Sequence, residues 1–280
     1  MRWTRGTSSG DIEDRRGRSF GGGLGRGGLG IGGVLIVGLL SMVFKTDLFQ
    51  LFDGGNGAPT GASAPISTTP EENERFDFVK FVINDTQDTW TTVLPRESGV
   101  QYERATLVLF RDVVQSACGT AESASGPFYC PGDHKVYIDL SFYDELKTRF
   151  GAAGEFAQAY VIAHEVGHHV QSLLGIDQQV RRAQAEQPGA AKQLSVQLEL
   201  QADCLAGVWG HSTNERKLLE AGDVESGLNA AAAIGDDHIQ KMQGGRVQPD
   251  AFTHGSSAQR VAAFRRGLES GTLAACQATR

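Results

Sequence analysis

Residues 155–174 read EFAQAYVIAHEVGHHVQSLL. Phe156, Tyr160, Ile162, Val166, Val170 and Leu173 recur at helical spacing with no proline among them, so the stretch predicts a helix. His164 and His168, four residues apart, then share a face and can reach one ion. Glu165 stands one step round, beside that ion and not on it. This is the HExxH arrangement, in which two imidazoles hold zinc and the glutamate is the general base toward the bound water. His169 lies about 100° round the helix from His168 and about 140° from His164, so it reads as a polar or core-edge histidine on another face.

Five residues can match by chance, and the reading needs a third ligand. An HExxHxxGxxH continuation would place glycine at 171 and histidine at 174, where the chain has Gln171 and Leu174. A glutamate on a second helix is the other solution. LELQADCLAGVWG, residues 198–210, offers Glu199 with Asp203 one turn later. Glu199 can bind the ion while Asp203 accepts a hydrogen bond from a ligand histidine, fixing its tautomer and raising its basicity. Cys204, about 140° round that helix from Glu199, and His211, roughly 18 Å further along, cannot take the place of Glu199. Zinc, one ion per chain, is the expected cofactor.

HEVGHHVQ, LELQADCLAG and FTHGSSAQRVAAF together resemble the bacterial neutral zinc metallopeptidase family, and the likeness runs on through ACG, GPFYCP, KVYIDLSFYDEL and IGDDHIQ. The pairing of HExxH with ExxAD is similar to the membrane-associated gluzincin peptidases more broadly. The resemblance implies a zincin fold, a zinc-dependent peptidase activity and a peptide or protein substrate. It also draws attention to FTHGSSAQR, because those gluzincins carry a His and an Arg in a similar C-terminal motif. His254 and Arg260 are therefore the candidates to stabilise an oxyanion. Gly255 stands where those relatives commonly have proline, so the local turn differs. For Arg260 an ion pair with Asp203 or Glu199 is the competing reading. Two other functions fit the same residues: an amidase acting on cell-wall peptides, and a tethered binding or scaffold protein that keeps zinc for structure.

The chain has 280 residues, 40% of them apolar, enough for a substantial core. Its net charge of −7 divides unevenly: residues 1–45 hold seven Lys/Arg against three Asp/Glu, which leaves the remainder acidic. A basic domain suited to nucleic acid is absent. The basic end precedes an apolar, glycine-rich run, strongest from Ile31 to Phe44 and just long enough to cross a bilayer. Arginines 2, 5, 15, 16, 18 and 26 lie ahead of it, so the positive-inside rule predicts a cytoplasmic N-terminus and an extracytoplasmic C-terminal part. The expected organisation is a basic cytoplasmic segment (1–27), a single transmembrane anchor (28–44), a flexible linker (45–72) and a zinc metallopeptidase domain (73–280) at the bacterial cell membrane. A cleaved signal peptide is the rival, with Ala62-Ser63-Ala64 as the cleavage site, although that site lies far from the apolar run.

Four cysteines, at 118, 130, 204 and 276, agree with export. Three pairings are open; a local 118–130 bridge would leave Cys204 and Cys276 to tie the C-terminus to the Glu199 helix. After a helix over 72–94, strands are expected at 105–110 and 135–142, the second with one face buried by alternation. KVYIDL is either the edge strand bordering the cleft or an interior one. Helices are expected at 144–150, 153–174, about 178–186, 190–211, about 214–221, 223–243 and 256–269. The expected fold class is α+β, mostly helical, with a small sheet ahead of the HExxH helix.

Overall fold

The computed structural model describes residues 1–5, 10–17 and 68–277. The expected anchor at 28–44 and almost all of the linker at 45–72 lie outside the described residues. Among the described residues no helix is long and apolar enough to cross a membrane.

The first long helix, α1 (Pro70–Ser98), starts where its chemistry says it should. The Thr69 hydroxyl caps the amide of Glu72, Pro70 sits at the first helical position, and Gly99 ends the helix in the left-handed region. Its buried stripe of Phe78, Val79, Val82, Ile83, Trp90 and Leu94 packs into the main core.

The sheet comes next. Strands β1 (Ile12–Asp14), β2 (Thr106–Phe110), β5 (Phe128–Cys130) and β6 (Lys135–Asp139) form one sheet in the order β1-β2-β6-β5. The first two neighbour pairs are parallel and β5 runs antiparallel to β6. A separate hairpin, β3 (Val113–Ser116) and β4 (Gly119–Glu122), lies over one side. β6 is therefore interior, and β5 is the edge.

The alternation expected for residues 135–142 fails for a physical reason. Val136 and Ile138 enter the main core, while Tyr137 enters a second cluster with Val108, Phe110, Val114 and Cys130. With a layer on each face, every residue from Val136 to Leu140 is buried. The strand stops at Asp139, and α2 (Phe142–Thr148) takes over.

Two helices carry the motifs, α3 (Glu155–Leu173) and α5 (Ala191–Glu215), with α4 (Ile176–Glu186) between them. A helix expected at about 214–221 does not form: α5 runs on to Glu215 and a turn follows. The helix expected over 223–243 is two, α6 (Asp223–Ala233) and α7 (Asp236–Met242). The break falls at Gly235, where a Cβ would collide with the backbone of Ser257 at the start of α8 (Ser257–Ser270). A capping box of Ser256 and Gln259 begins α8. Cys118–Cys130 pins the β3–β4 hairpin to β5, and Cys204–Cys276 pins the C-terminal turn to α5.

Residues 1–5 and 10–17, part of the expected basic tail, pack on this domain. Ile12, Glu13 and Asp14 register against Leu107, Val108 and Leu109. Ion pairs join Glu13 to Lys135 at 2.9 Å and Arg16 to Glu72 at 3.0 Å. The Trp3 indole donates to Glu155, the first residue of α3.

Candidate metal centre

α3 and α5 cross with their motif faces inward. Gly167 makes the approach possible: a Cβ there would press within 2.9 Å of the Ala202 carbonyl on α5. Glu199 then reaches both histidines, with Oε2 3.2 Å from His164 Nε2 and Oε1 3.4 Å from His168 Nε2. Among the described residues these three form the group whose donor atoms, all within 4.8 Å of one another, could hold a metal ion. Four ligands arranged tetrahedrally at about 2.0–2.1 Å from zinc stand about 3.3 Å apart, which the two Glu199–histidine separations match. The donor set, two imidazoles and one carboxylate, is also that of an open catalytic zinc site.

Both ring Nδ1 atoms are engaged elsewhere, which leaves each Nε2 for the ion. His164 Nδ1 lies 2.9 Å from Asp203 Oδ1, the carboxylate expected to hold a ligand ring. His168 Nδ1 lies 2.8 Å from Gln171 Oε1. Asp203 is fully buried and takes more than the histidine: Arg260 donates to it from Nε and Nη2, each at 2.9 Å, and the Tyr160 hydroxyl donates as well. Arg260 is thus paired with Asp203, with Nη2 also 3.4 Å from His164 Nδ1.

The electrostatics follow from these contacts. Burial works against charge on Glu199, yet His168 and His164 hold its carboxyl well below the usual range. Burial likewise opposes protonation of His164, and the Asp203 carboxylate overrides it, so that the ring is pushed up to about 10. A metal ion held by these residues would take the place of the ring proton on His164. Glu165 behaves differently. Burial raises its carboxyl above the ordinary value, the direction that suits a general base.

Glu165 and the ligand residues line a cleft of about 590 Å³ together with Phe128, Tyr129, His254 and Arg260. The His254 ring is exposed at the cleft, with Nδ1 3.1 Å from Asp236 Oδ1. His169 sits on another face of α3, buried against the Tyr129 hydroxyl and the Glu103 carbonyl, as its helical angle implied. Tyr160, Gln171 and Gln201 were not legible as site residues. Tyr160 has the spacing of a core aromatic, and two glutamines on different helices carry no motif.

The family described as "Putative neutral zinc metallopeptidase" matches residues 1–279. The chain belongs to this zinc metallopeptidase family. Among its relatives, the uncharacterized protein YpfJ of Escherichia coli K12 is 47% identical over 283 residues, covering 99% of this chain and 98% of the relative. The uncharacterized protein Rv2575 of Mycobacterium tuberculosis H37Rv is 43% identical over 204 residues, covering 69% of this chain and 67% of the relative. No solved structure matches the chain. For a member of this zinc metallopeptidase family, the His164, His168 and Glu199 cluster is the group that could hold a metal ion.

Proposed function

We propose that the chain hydrolyses peptide bonds at a single zinc site held by His164, His168 and Glu199, with Glu165 as general base. The observation that carries this reading is the convergence of two Nε2 atoms and one carboxylate beside a buried glutamate inside a cleft. When bound, zinc supplies a Lewis acid and lowers the pKa of water to about 7. Glu165 takes the proton of the attacking water on its carboxylate and returns it to the departing amine nitrogen. His254, exposed at the cleft, is the candidate donor to the developing oxyanion. Arg260, paired with Asp203, orients the carboxylate that holds the His164 ring. An extended substrate can pair with the edge of β5, which no other described strand covers and whose Phe128 and Tyr129 line the cleft. A helix-borne HExxH beside such an edge strand is a zincin-like arrangement.

Membrane attachment through residues 28–44 remains part of the proposal with one change. Because β1 and β2 belong to one sheet, the segments flanking residues 28–44 are expected on the same side of any bilayer.

The test is metal content and digestion of a peptide library by the full-length protein and two variants. Glu165→Gln is expected to keep one zinc per chain and lose activity by about 10²–10⁴-fold. Glu199→Ala should lose the zinc. Cleavage by Glu165→Gln at the wild-type rate would remove Glu165 from the chemistry.

A further inference from the structure

The two ligand histidines are held by unlike partners. His164 meets a carboxylate, whereas His168 meets the neutral side chain of Gln171, which is fully buried. A primary amide can turn over and present either an acceptor or a donor to the ring. The tautomer of His168 is thus only as well defined as the orientation of Gln171.

The surroundings decide that orientation. Gln171 Nε2 donates to the backbone carbonyl of Leu198 at 2.7 Å and to Gln201 Oε1 at 2.9 Å. Turning the amide over would set its oxygen against a carbonyl that can only accept. Gln201 is fixed in the same way, because its Nε2 donates to the backbone carbonyl of Cys276 at 3.1 Å. Cys276 is itself buried in the C-terminal turn and bonded to Cys204, which follows Asp203 on α5. Two backbone carbonyls, at Leu198 and Cys276, therefore terminate a one-way series of hydrogen bonds. Its other end is Gln171 Oε1, which must accept. His168 must then carry its proton on Nδ1 and leave the Nε2 lone pair toward Glu199.

We propose that Gln171 and Gln201 are positioning residues for the metal ligand His168, and that the C-terminal turn held by Cys204–Cys276 is the fixed point of this hydrogen-bond series. The proposal rests on the zinc-site reading. It gives the last residues of the chain a role in metal retention, although the Cys276 carbonyl reaches the ligand only through two intervening side chains. Hydrogen-bond partners of ligand histidines typically contribute about 10–100-fold to metal affinity.

The experiment measures zinc release to a colorimetric chelator from the full-length, zinc-loaded protein, comparing wild type with Gln171→Leu, Gln201→Leu and the double variant. Gln171→Leu is expected to release zinc about 10–100-fold faster. Gln201→Leu should do so by a smaller factor, because Gln171 keeps its bond to the Leu198 carbonyl. In a single series the double variant is no faster than Gln171→Leu alone, whereas independent packing defects multiply. Gln201 is only partly buried, so its variant keeps the test decisive even if Gln171→Leu fails to fold. Release at the wild-type rate from Gln201→Leu, or multiplied rates in the double variant, overturns the proposal and leaves the zinc site standing. A wild-type protein that retains no zinc overturns the zinc-site reading, and this proposal with it.

Discussion

Asp203 is where the polar contacts of the site converge: a ligand imidazole, a tyrosine hydroxyl and a guanidinium all meet one buried carboxylate. Its substitution therefore acts on two quantities at once. The carboxylate orients His164 and strengthens its metal-bound nitrogen, so Asp203→Asn is expected to weaken zinc affinity about 10–100-fold in chelator competition. The same carboxylate balances Arg260, which is buried beside it. Leaving a buried cation unpaired costs about 3–5 kcal/mol, so thermal or urea unfolding of the metal-free variant should show a loss of that order. Asp203→Ala should lose more on both measures, because it removes the acceptor for the ring as well. Wild-type chelator rates with reduced stability alone would make Asp203 a partner of Arg260 and nothing more. Arg260 itself was legible from the sequence only as a candidate with two roles; the structure pairs it with Asp203 beside His164 Nδ1.

At the scale of elements, the contact that sets up this pairing is between α5 and α8. Gly207 and Gly267 face each other across it, and a Cβ on either would overlap backbone of the opposite helix, at Phe264 or Cys204. The two helices thus pack backbone to backbone, and the depth of that approach lets a side chain on α8 reach Asp203. Gly267→Ala forces the helices apart. The expected cost is about 1–3 kcal/mol in urea denaturation, accompanied by faster zinc loss as the Asp203–Arg260 pair lengthens. Unchanged stability and unchanged zinc retention would show that the helices have room to adjust. Sequence periodicity located α3, α5 and α8 well, because each has a long apolar stripe. It missed β1, β5 and the β3–β4 hairpin, since strands of three or four residues are too short for alternation to stand out. It also read α6 and α7 as one helix, because the collision that makes Gly235 necessary is with Ser257, in a segment distant along the chain.

For the whole molecule, the strand pairing between residues 12–14 and 107–109 bears on topology. Counting arginines predicts a cytoplasmic N-terminus and a domain on the other side of the membrane; the proposal drawn from one shared sheet is that both lie on the same side. Thr4 and Glu186 are both exposed. Single cysteines introduced at each, with the native disulfides intact, should react with a membrane-impermeant maleimide under the same conditions, both in intact cells or both only after permeabilisation. Labelling of Glu186→Cys in intact cells with Thr4→Cys protected would restore the opposite-side arrangement and mean that β1 does not form in the cell.

The sequence by itself picked out His164, His168 and Glu199, which the structure brings together, because helical geometry converts the spacings His164–His168 and Glu199–Asp203 directly into shared faces. Tertiary structure alone decided what holds those ligands in place. Tyr160, Gln171, Gln201, Arg260 and the Cys276 carbonyl come from separate segments, and their roles exist only where helices meet at a distance set by glycines. Hydrogen bonds between segments depend on position and orientation in space, for which one-dimensional spacing holds no information. The same reason explains the strands: β6 is interior and β5 the edge because of what packs beside each, and nothing in either stretch of residues states its neighbours.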